Sequence, residues 1–98
     1  MSLPLVLHPD AQAEFDESHD WFEQRRAGDG EKFSLAIKAA LGRIERNPLM
    51  YGIALDDIRK AVVPNYSFCI YYIIQDDRLF VTCVFHTSRD PAVWQGRR

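Results

Sequence analysis

The sequence has few of the features that mark membrane or secreted proteins. Its 98 residues include only two cysteines, and its longest apolar run, residues 68–74, is far too short to cross a bilayer. The first residues do not show a basic segment followed by an apolar stretch, so no secretory signal is expected. We therefore predict a cytoplasmic protein without a membrane partner.

The motifs of common catalytic sites are also missing from the sequence. It contains no glycine-rich phosphate loop and no serine or cysteine nucleophile motif. His8, His19 and His86 do not follow the spacing of a metal site. These absences predict a protein that uses neither a metal nor a cofactor.

The two cysteines, Cys69 and Cys83, fall in apolar segments that are typical of strands. If the hairpin between these strands turns at Asp76-Asp77, residue 69 lies opposite residue 84. The two thiols would then point to opposite faces of the sheet. A disulfide is therefore not expected.

Length and charge indicate one globular domain over residues 1–98. Hydrophobic residues make up 47% of the chain and charged residues 27%, which is typical of a folded protein. Residues 1–58 hold six Lys and Arg against eleven Asp and Glu, whereas residues 59–98 hold six against three. The basic C-terminal part suggests a face for an acidic partner, although ordinary surface scatter explains this asymmetry about as well.

The first half of the chain predicts a short strand and two helices. Leu3–Leu7 is the strand, and Pro9 suits the first turn of a helix that runs to about Arg26. Asp29 is predicted to cap a second helix, which ends at Asn47-Pro48. The acidic residues of the first helix are interpreted as its solvated face. Apolar spacing in the two helices is given by Ala11, Phe15, Ser18 and Phe22, then by Phe33, Ile37, Ala40, Leu41 and Ile44.

The second half predicts strands at residues 59–63, 66–74 and 78–86, after an irregular stretch at 49–57. The expected fold is therefore α+β, in the order β-α-α-β-β-β, with a helical hairpin packed on a small, mainly antiparallel sheet. The last two strands are apolar on both faces, and the hairpin covers only one. We expect a homodimer or a complex to cover the other face.

The aromatic residues of the strands are interpreted mainly as core, with a base-stacking platform for nucleic acid as the alternative. His86 is either a general base or, more often for a lone histidine at a strand end, structural. Trp94 follows the last strand and either folds back over the sheet or lies exposed for a partner. The aromatic set consists of Tyr66, Phe68, Tyr71, Tyr72, Phe80 and Phe85.

Four segments together resemble the RelE/ParE superfamily of toxins from bacterial toxin–antitoxin modules, and the tail "H-x-x-RDP-x-x-W" resembles its ParE-like branch, the plasmid stabilisation proteins. The resemblance covers nearly the whole chain and implies the RelE/ParE-like fold. The segments are "AQAEFDESHDWF" at 11–22, "IERNPLMYG" at 44–52, "IRKAVVPNYSFCIYY" at 58–72 and "VFHTSRDPAVW" at 84–94.

The resemblance implies two activities, since fold alone does not choose between them. RelE-like members are ribosome-dependent messenger RNA endonucleases, but Cys69 stands where their pattern has an arginine, and Trp94 lies near their late tyrosine. Only Arg59, His86 and Arg89 are left as weak catalytic candidates. ParE-like members poison DNA gyrase by binding, which needs no catalytic group. We favour that function, with a ribonuclease and a non-toxic antitoxin-binding or regulatory relic as alternatives.

A cognate antitoxin is the partner that the resemblance implies. Its acidic tail is expected to bind the basic C-terminal half, where it adds backbone hydrogen bonds along an exposed strand. DNA gyrase is the further partner under the ParE-like interpretation, and the ribosome with its messenger RNA under the alternative. The predicted partner-binding residues are Arg59, Lys60, Arg89, Trp94, Arg97 and Arg98.

Overall fold

A computed structural model of the protein describes residues 3–98. Two long helices are followed by a run of strands and a short terminal helix, which confirms the predicted α+β class. The chain contains one strand and one short helix that the sequence did not predict. In order, the elements are β1 Leu5–Leu7, α1 Pro9–Arg25, α2 Asp29–Arg46, β2 Ile53–Leu55, β3 Ile58–Val63, β4 Phe68–Ile74, β5 Leu79–His86 and α3 Ala92–Gly96.

The strands form one five-stranded sheet in the order β1-β5-β4-β3-β2. β1 runs parallel to β5, and all other neighbours are antiparallel, so the sheet is mainly antiparallel as predicted. None of the helices in residues 3–98 is both long and apolar enough to cross a membrane.

The turn between α1 and α2 is held by a side chain that sequence reasoning assigned to solvent. Glu23 accepts hydrogen bonds from the backbone N–H groups of Gly28 and Gly30, at 3.0–3.1 Å. Gly28 has φ 93°, a left-handed conformation that favours glycine. A Cβ on Gly30 would lie 2.7 Å from the carbonyl oxygen of His19. The prediction that Asp29 caps α2 is therefore wrong, since Asp29 is the first helical residue and Glu23 supplies the acceptor.

The helical hairpin covers one face of the sheet, which we call the helix face. Phe33, Ile37 and Ile44 of α2 are fully buried there against β3, β4 and β5. Phe22 and Phe33 stack at 4.9 Å between centroids, and both contact Phe68. The apolar spacing of α2 thus predicted its buried side, because a 3.6-residue period keeps these side chains on one stripe.

The stretch predicted to be irregular contains the edge strand β2. Two side chains of the sheet hold the loop that leads to it: Arg59 donates to the carbonyl of Tyr51 at 2.6 Å, and the Tyr72 hydroxyl donates to that of Pro48. Burial raises the pKa of Tyr72 to about 12, although the charge of Arg59 opposes the shift. We attribute β2 to this fixed loop. The three residues of β2 are themselves exposed and carry no core pattern that would favour a strand.

The predicted register of the β4–β5 hairpin holds from the turn to the pair Tyr72–Val81 and is wrong beyond it. A bulge opposite Tyr71 and Tyr72 adds one residue to β5, so that Cys69 pairs with Phe85 instead of residue 84. Cys69 and Cys83 therefore lie on the same face, in one buried cluster, and both thiols are free. The prediction that the thiols point to opposite faces is wrong, because the bulge shifts the pairing of Cys69 by one residue.

The chain itself covers the second face of the sheet, which we call the tail face. α3 crosses it, and the Trp94 ring stacks on Tyr71 with centroids 4.2 Å apart and planes 6° apart. Only 9% of Trp94 is exposed, and Phe85 and Cys83 are buried beside it. The expectation of a large uncovered face is therefore wrong, since residues after β5 fold back over it.

Candidate contact sites

Three charged side chains join the C-terminal residues to α1. Glu14 accepts from Arg89 at 2.6 Å and from Arg97 at 2.9 Å. The side chains of Glu14 and Arg97 are only 11% and 14% exposed. Burial alone lowers the pKa of Arg97, but the hydrogen bond and charge of Glu14 outweigh it, and the pKa is raised. The cluster is thus a compensated, largely buried ion-pair network.

The same network completes the edge of β5. β1 follows β5 only as far as Val81, whose carbonyl accepts from the His8 N–H. Beyond that point the Thr82 carbonyl accepts from Arg97, and the Val84 N–H donates to Glu14. Two side chains therefore satisfy backbone groups that an edge strand would otherwise leave unpaired.

Arg98 holds the other end of α3. It contacts Asp56 and Asp57 in the turn between β2 and β3, and its hydrogen bond lowers the pKa of Asp57. All three of these side chains are well exposed, so the pairs contribute little to the free energy of folding.

Sequence reasoning missed Glu14, although a signal was available. Glu14 lies three residues after Ala11 and four before Ser18, and therefore on the same stripe of α1 that the apolar residues define. A carboxylate on that stripe needs a buried cation or backbone donors, and the structure supplies both.

Most of the predicted partner-binding residues are engaged within the chain. Arg89, Arg97 and Arg98 bind carboxylates of α1 and of the β2–β3 turn, and Arg59 binds a loop carbonyl. Trp94 is buried on the tail face. Lys60 is exposed, as Arg89 and Arg98 are. Unlike those two, it has no carboxylate at salt-bridge distance within residues 3–98.

Of the three weak catalytic candidates, Arg59 lies apart from His86 and Arg89, which are neighbours at the end of β5. Arg59 lies opposite Tyr72 of β4, and His86 lies opposite Phe68 of the same strand. Four residues of strand therefore separate Arg59 from His86, which is about 13 Å along the strand direction alone. The Nδ1 atom of His86 lies 2.7 Å from the Ser88 hydroxyl, and Arg89 is bound to Glu14. No group of three His, Cys, Asp or Glu side chains suited to a metal ion occurs in residues 3–98.

Five exposed apolar side chains lie on β2, in the loop before it and on the neighbouring strand β3, and we call them together the edge surface. Its members are between 39% and 70% exposed, and they account for five of the eight large apolar residues exposed in the described chain. Because β2 is the last strand of the sheet, its outer backbone groups have no partner strand. Apolar side chains beside an open strand edge favour a protein contact. The edge surface consists of Leu49, Met50, Ile53, Leu55 and Val62.

These features define a small α+β protein with exposed apolar residues at one edge of its sheet and with most of its C-terminal arginines engaged in ion pairs within the chain. Residues 5–91 match the family described as the ParE toxin of the type II toxin–antitoxin system parDE, and the chain belongs to that family. α3 lies outside the matched range. The family assignment confirms the predicted resemblance.

A solved structure shows the same fold. The chain resembles a protein of the chromosomal ParDE toxin–antitoxin system from P. aeruginosa with a TM-score of 0.68 and 12% identity, over 88% of this chain and 97% of that one. At this identity the likeness concerns the fold alone. No curated protein sequence matches the chain.

Proposed function

We propose that this ParE-family toxin acts by binding and inhibiting DNA gyrase, and that a cognate antitoxin neutralises it. The observation that carries the proposal is the separation of Arg59 from His86, together with the ion pair that holds the Arg89 guanidinium at Glu14. RNA cleavage needs cations and a proton-transfer group within reach of one phosphate. A toxin that acts by binding its target needs a contact surface and no catalytic group. The edge surface can serve as such a contact.

The target is tested by adding the purified protein separately to a gyrase supercoiling reaction and to translating ribosomes. We expect loss of supercoiling and intact messenger RNA. His86→Ala should inhibit gyrase as the unchanged protein does. Cleavage of messenger RNA that His86→Ala abolishes would establish the ribonuclease instead. Antitoxin binding without either effect would establish the relic.

The edge surface is the proposed antitoxin site. An extended segment can pair with the free edge of β2, place apolar side chains against Ile53 and Leu55, and bring a carboxylate to Lys60. Backbone pairing supplies affinity in this arrangement, and the side chains supply selectivity. Apart from Lys60, the basic residues that the sequence suggested for this role are engaged within the chain, so in this proposal the apolar contacts carry more of the binding than predicted.

The antitoxin contact is tested with two matched variants. Ile53→Ser removes an apolar side chain that is 58% exposed on β2, and Leu35→Ser removes one that is 60% exposed on α2. We expect the antitoxin dissociation constant to rise about tenfold for Ile53→Ser, as for an interface anchor, and to stay unchanged for Leu35→Ser. Equal losses would overturn the assignment. A dimer of the toxin alone that Ile53→Ser dissociates would show that a second copy covers the edge.

A further inference from the structure

A groove lies between α1 and the turn that joins β3 to β4, away from the edge surface. Its volume is about 570 Å³, which is within the range of ligand-binding sites. Aromatic side chains form much of its wall. One of them, Trp21, is 53% exposed, although the other large aromatic residues of α1 are packed inward.

Three of these rings are joined by edge-to-face contacts along the groove. The planes of Trp21 and Tyr66 stand at 86° and 84° to Phe22, with centroids 5.0 and 5.6 Å from it. Together they form part of the aromatic wall of the groove, and Trp21 is the most exposed of the three. An exposed aromatic ring attracts cations, because the ring quadrupole is negative at its faces.

The charge at the groove supports the same ligand class. Glu17 lines it, and no cation lies within salt-bridge distance of that carboxylate among residues 3–98. Apart from its tyrosine, the other polar residues of the wall are Asn65, His86 and two serines. Arg25 already packs 4.6 Å from the Trp21 centroid, which shows that this indole accepts a guanidinium, and about half of the Trp21 side chain stays exposed.

We propose that this groove binds an arginine or lysine side chain presented by a protein partner, with apolar neighbours of that side chain against the remaining aromatic wall. The surrounding surface of α1 carries exposed Asp16 and Asp20, which favours a basic segment and disfavours a nucleic acid backbone. The proposal does not depend on the gyrase or antitoxin assignments, since it concerns a different surface and a ligand of opposite charge.

The test uses two tripeptides that differ only in charge, acetyl-Leu-Arg-Leu-amide and its citrulline counterpart. Binding is followed by the NMR shift of the Trp21 indole N–H, which is distinct from that of buried Trp94. We expect the arginine peptide to bind about five- to tenfold more tightly than the citrulline peptide, from one cation–π contact and one partly exposed ion pair.

Two variants separate the contributions. Glu17→Gln should reduce the preference for arginine to about twofold, and Glu45→Gln, an equally exposed carboxylate on α2, should leave it unchanged. Trp21→Ala should abolish binding of both peptides, followed through Tyr66 signals, without loss of the folded spectrum. Equal binding of the two peptides, tighter binding of acetyl-Leu-Glu-Leu-amide, or an effect of Glu45→Gln as large as that of Glu17→Gln would overturn the proposal.

Discussion

The two faces of the sheet are closed by different means. The helix face is covered by 35 helical residues of α1 and α2, whose own apolar spacing points them at the sheet. The tail face is covered by the five-residue α3, fixed through Trp94 and arginines. A short helix is not stable on its own. The helix face is thus closed by local amphipathic structure, and the tail face by a few long-range contacts.

Removing a large side chain from the helix face should cause the largest loss in the free energy of unfolding. Phe33→Ala deletes a fully buried ring that contacts Phe22 and Phe68, and we expect a loss of about 4 kcal/mol in the free energy of unfolding. Urea unfolding measures it. If Phe33→Ala costs less than Trp94→Ala, the helix face is not the main source of stability.

The corresponding change on the tail face is Trp94→Ala. We expect a loss of about 2–3 kcal/mol, at the low end of the range for a buried tryptophan, because α3 can detach without unfolding the sheet. Hydrogen exchange should show faster exchange confined to β5 and α3. Trp21→Ala serves as the control, since the exposed ring of Trp21 should contribute less than about 1 kcal/mol.

The next loss in the free energy of unfolding is expected from the ion-pair network of Glu14, Arg89 and Arg97, which joins the helix on one face to the tail on the other. Glu14→Gln keeps the shape and an acceptor oxygen but leaves Arg97 without a counter-charge, and we expect a loss of about 2 kcal/mol. The double variant Glu14→Gln with Arg97→Gln should be less destabilised than the two single losses added together. Strict additivity would show that the two groups do not interact.

The last test concerns the dependence of stability on alkaline pH. Burial raises the pKa of Tyr71 and of Tyr72 to about 12 and that of Cys83 to about 11, each above the value in the unfolded chain. Deprotonation therefore favours the unfolded state. The contribution of these three groups to the free energy of unfolding is fully present below about pH 9 and is lost progressively up to pH 12.

Urea midpoints at pH 8 and pH 10.5 test this dependence, and one substitution on the tail face sharpens it. Tyr71→Phe removes one of the buried acids, so its midpoint should fall less between the two pH values than that of the unchanged protein. An identical fall in both proteins would show that the Tyr71 phenol does not titrate differently on folding.

Sequence patterns predicted the features that depend on neighbouring residues. The stripe of α2 gave its buried side, and β-branched and aromatic runs gave β3, β4 and β5. The missed features depend on residues far apart in the chain: Glu14 and Arg97 are 83 positions apart, and Trp94 meets Tyr71. Periodicity carries no information on such pairs, nor on the single-residue bulge that places Cys69 and Cys83 on one face.

The bulge in β5 has a kinetic consequence. Because it brings both thiols onto the tail face, they share one buried cluster with Trp94, where burial raises the pKa of each. Thiol reagents attack the thiolate, and only where they can reach it. The rate at which Cys69 and Cys83 are alkylated therefore reports how often α3 lifts from the sheet. The protein carries an internal label for this motion at two positions, and any partner that holds α3 in place should slow both reactions together.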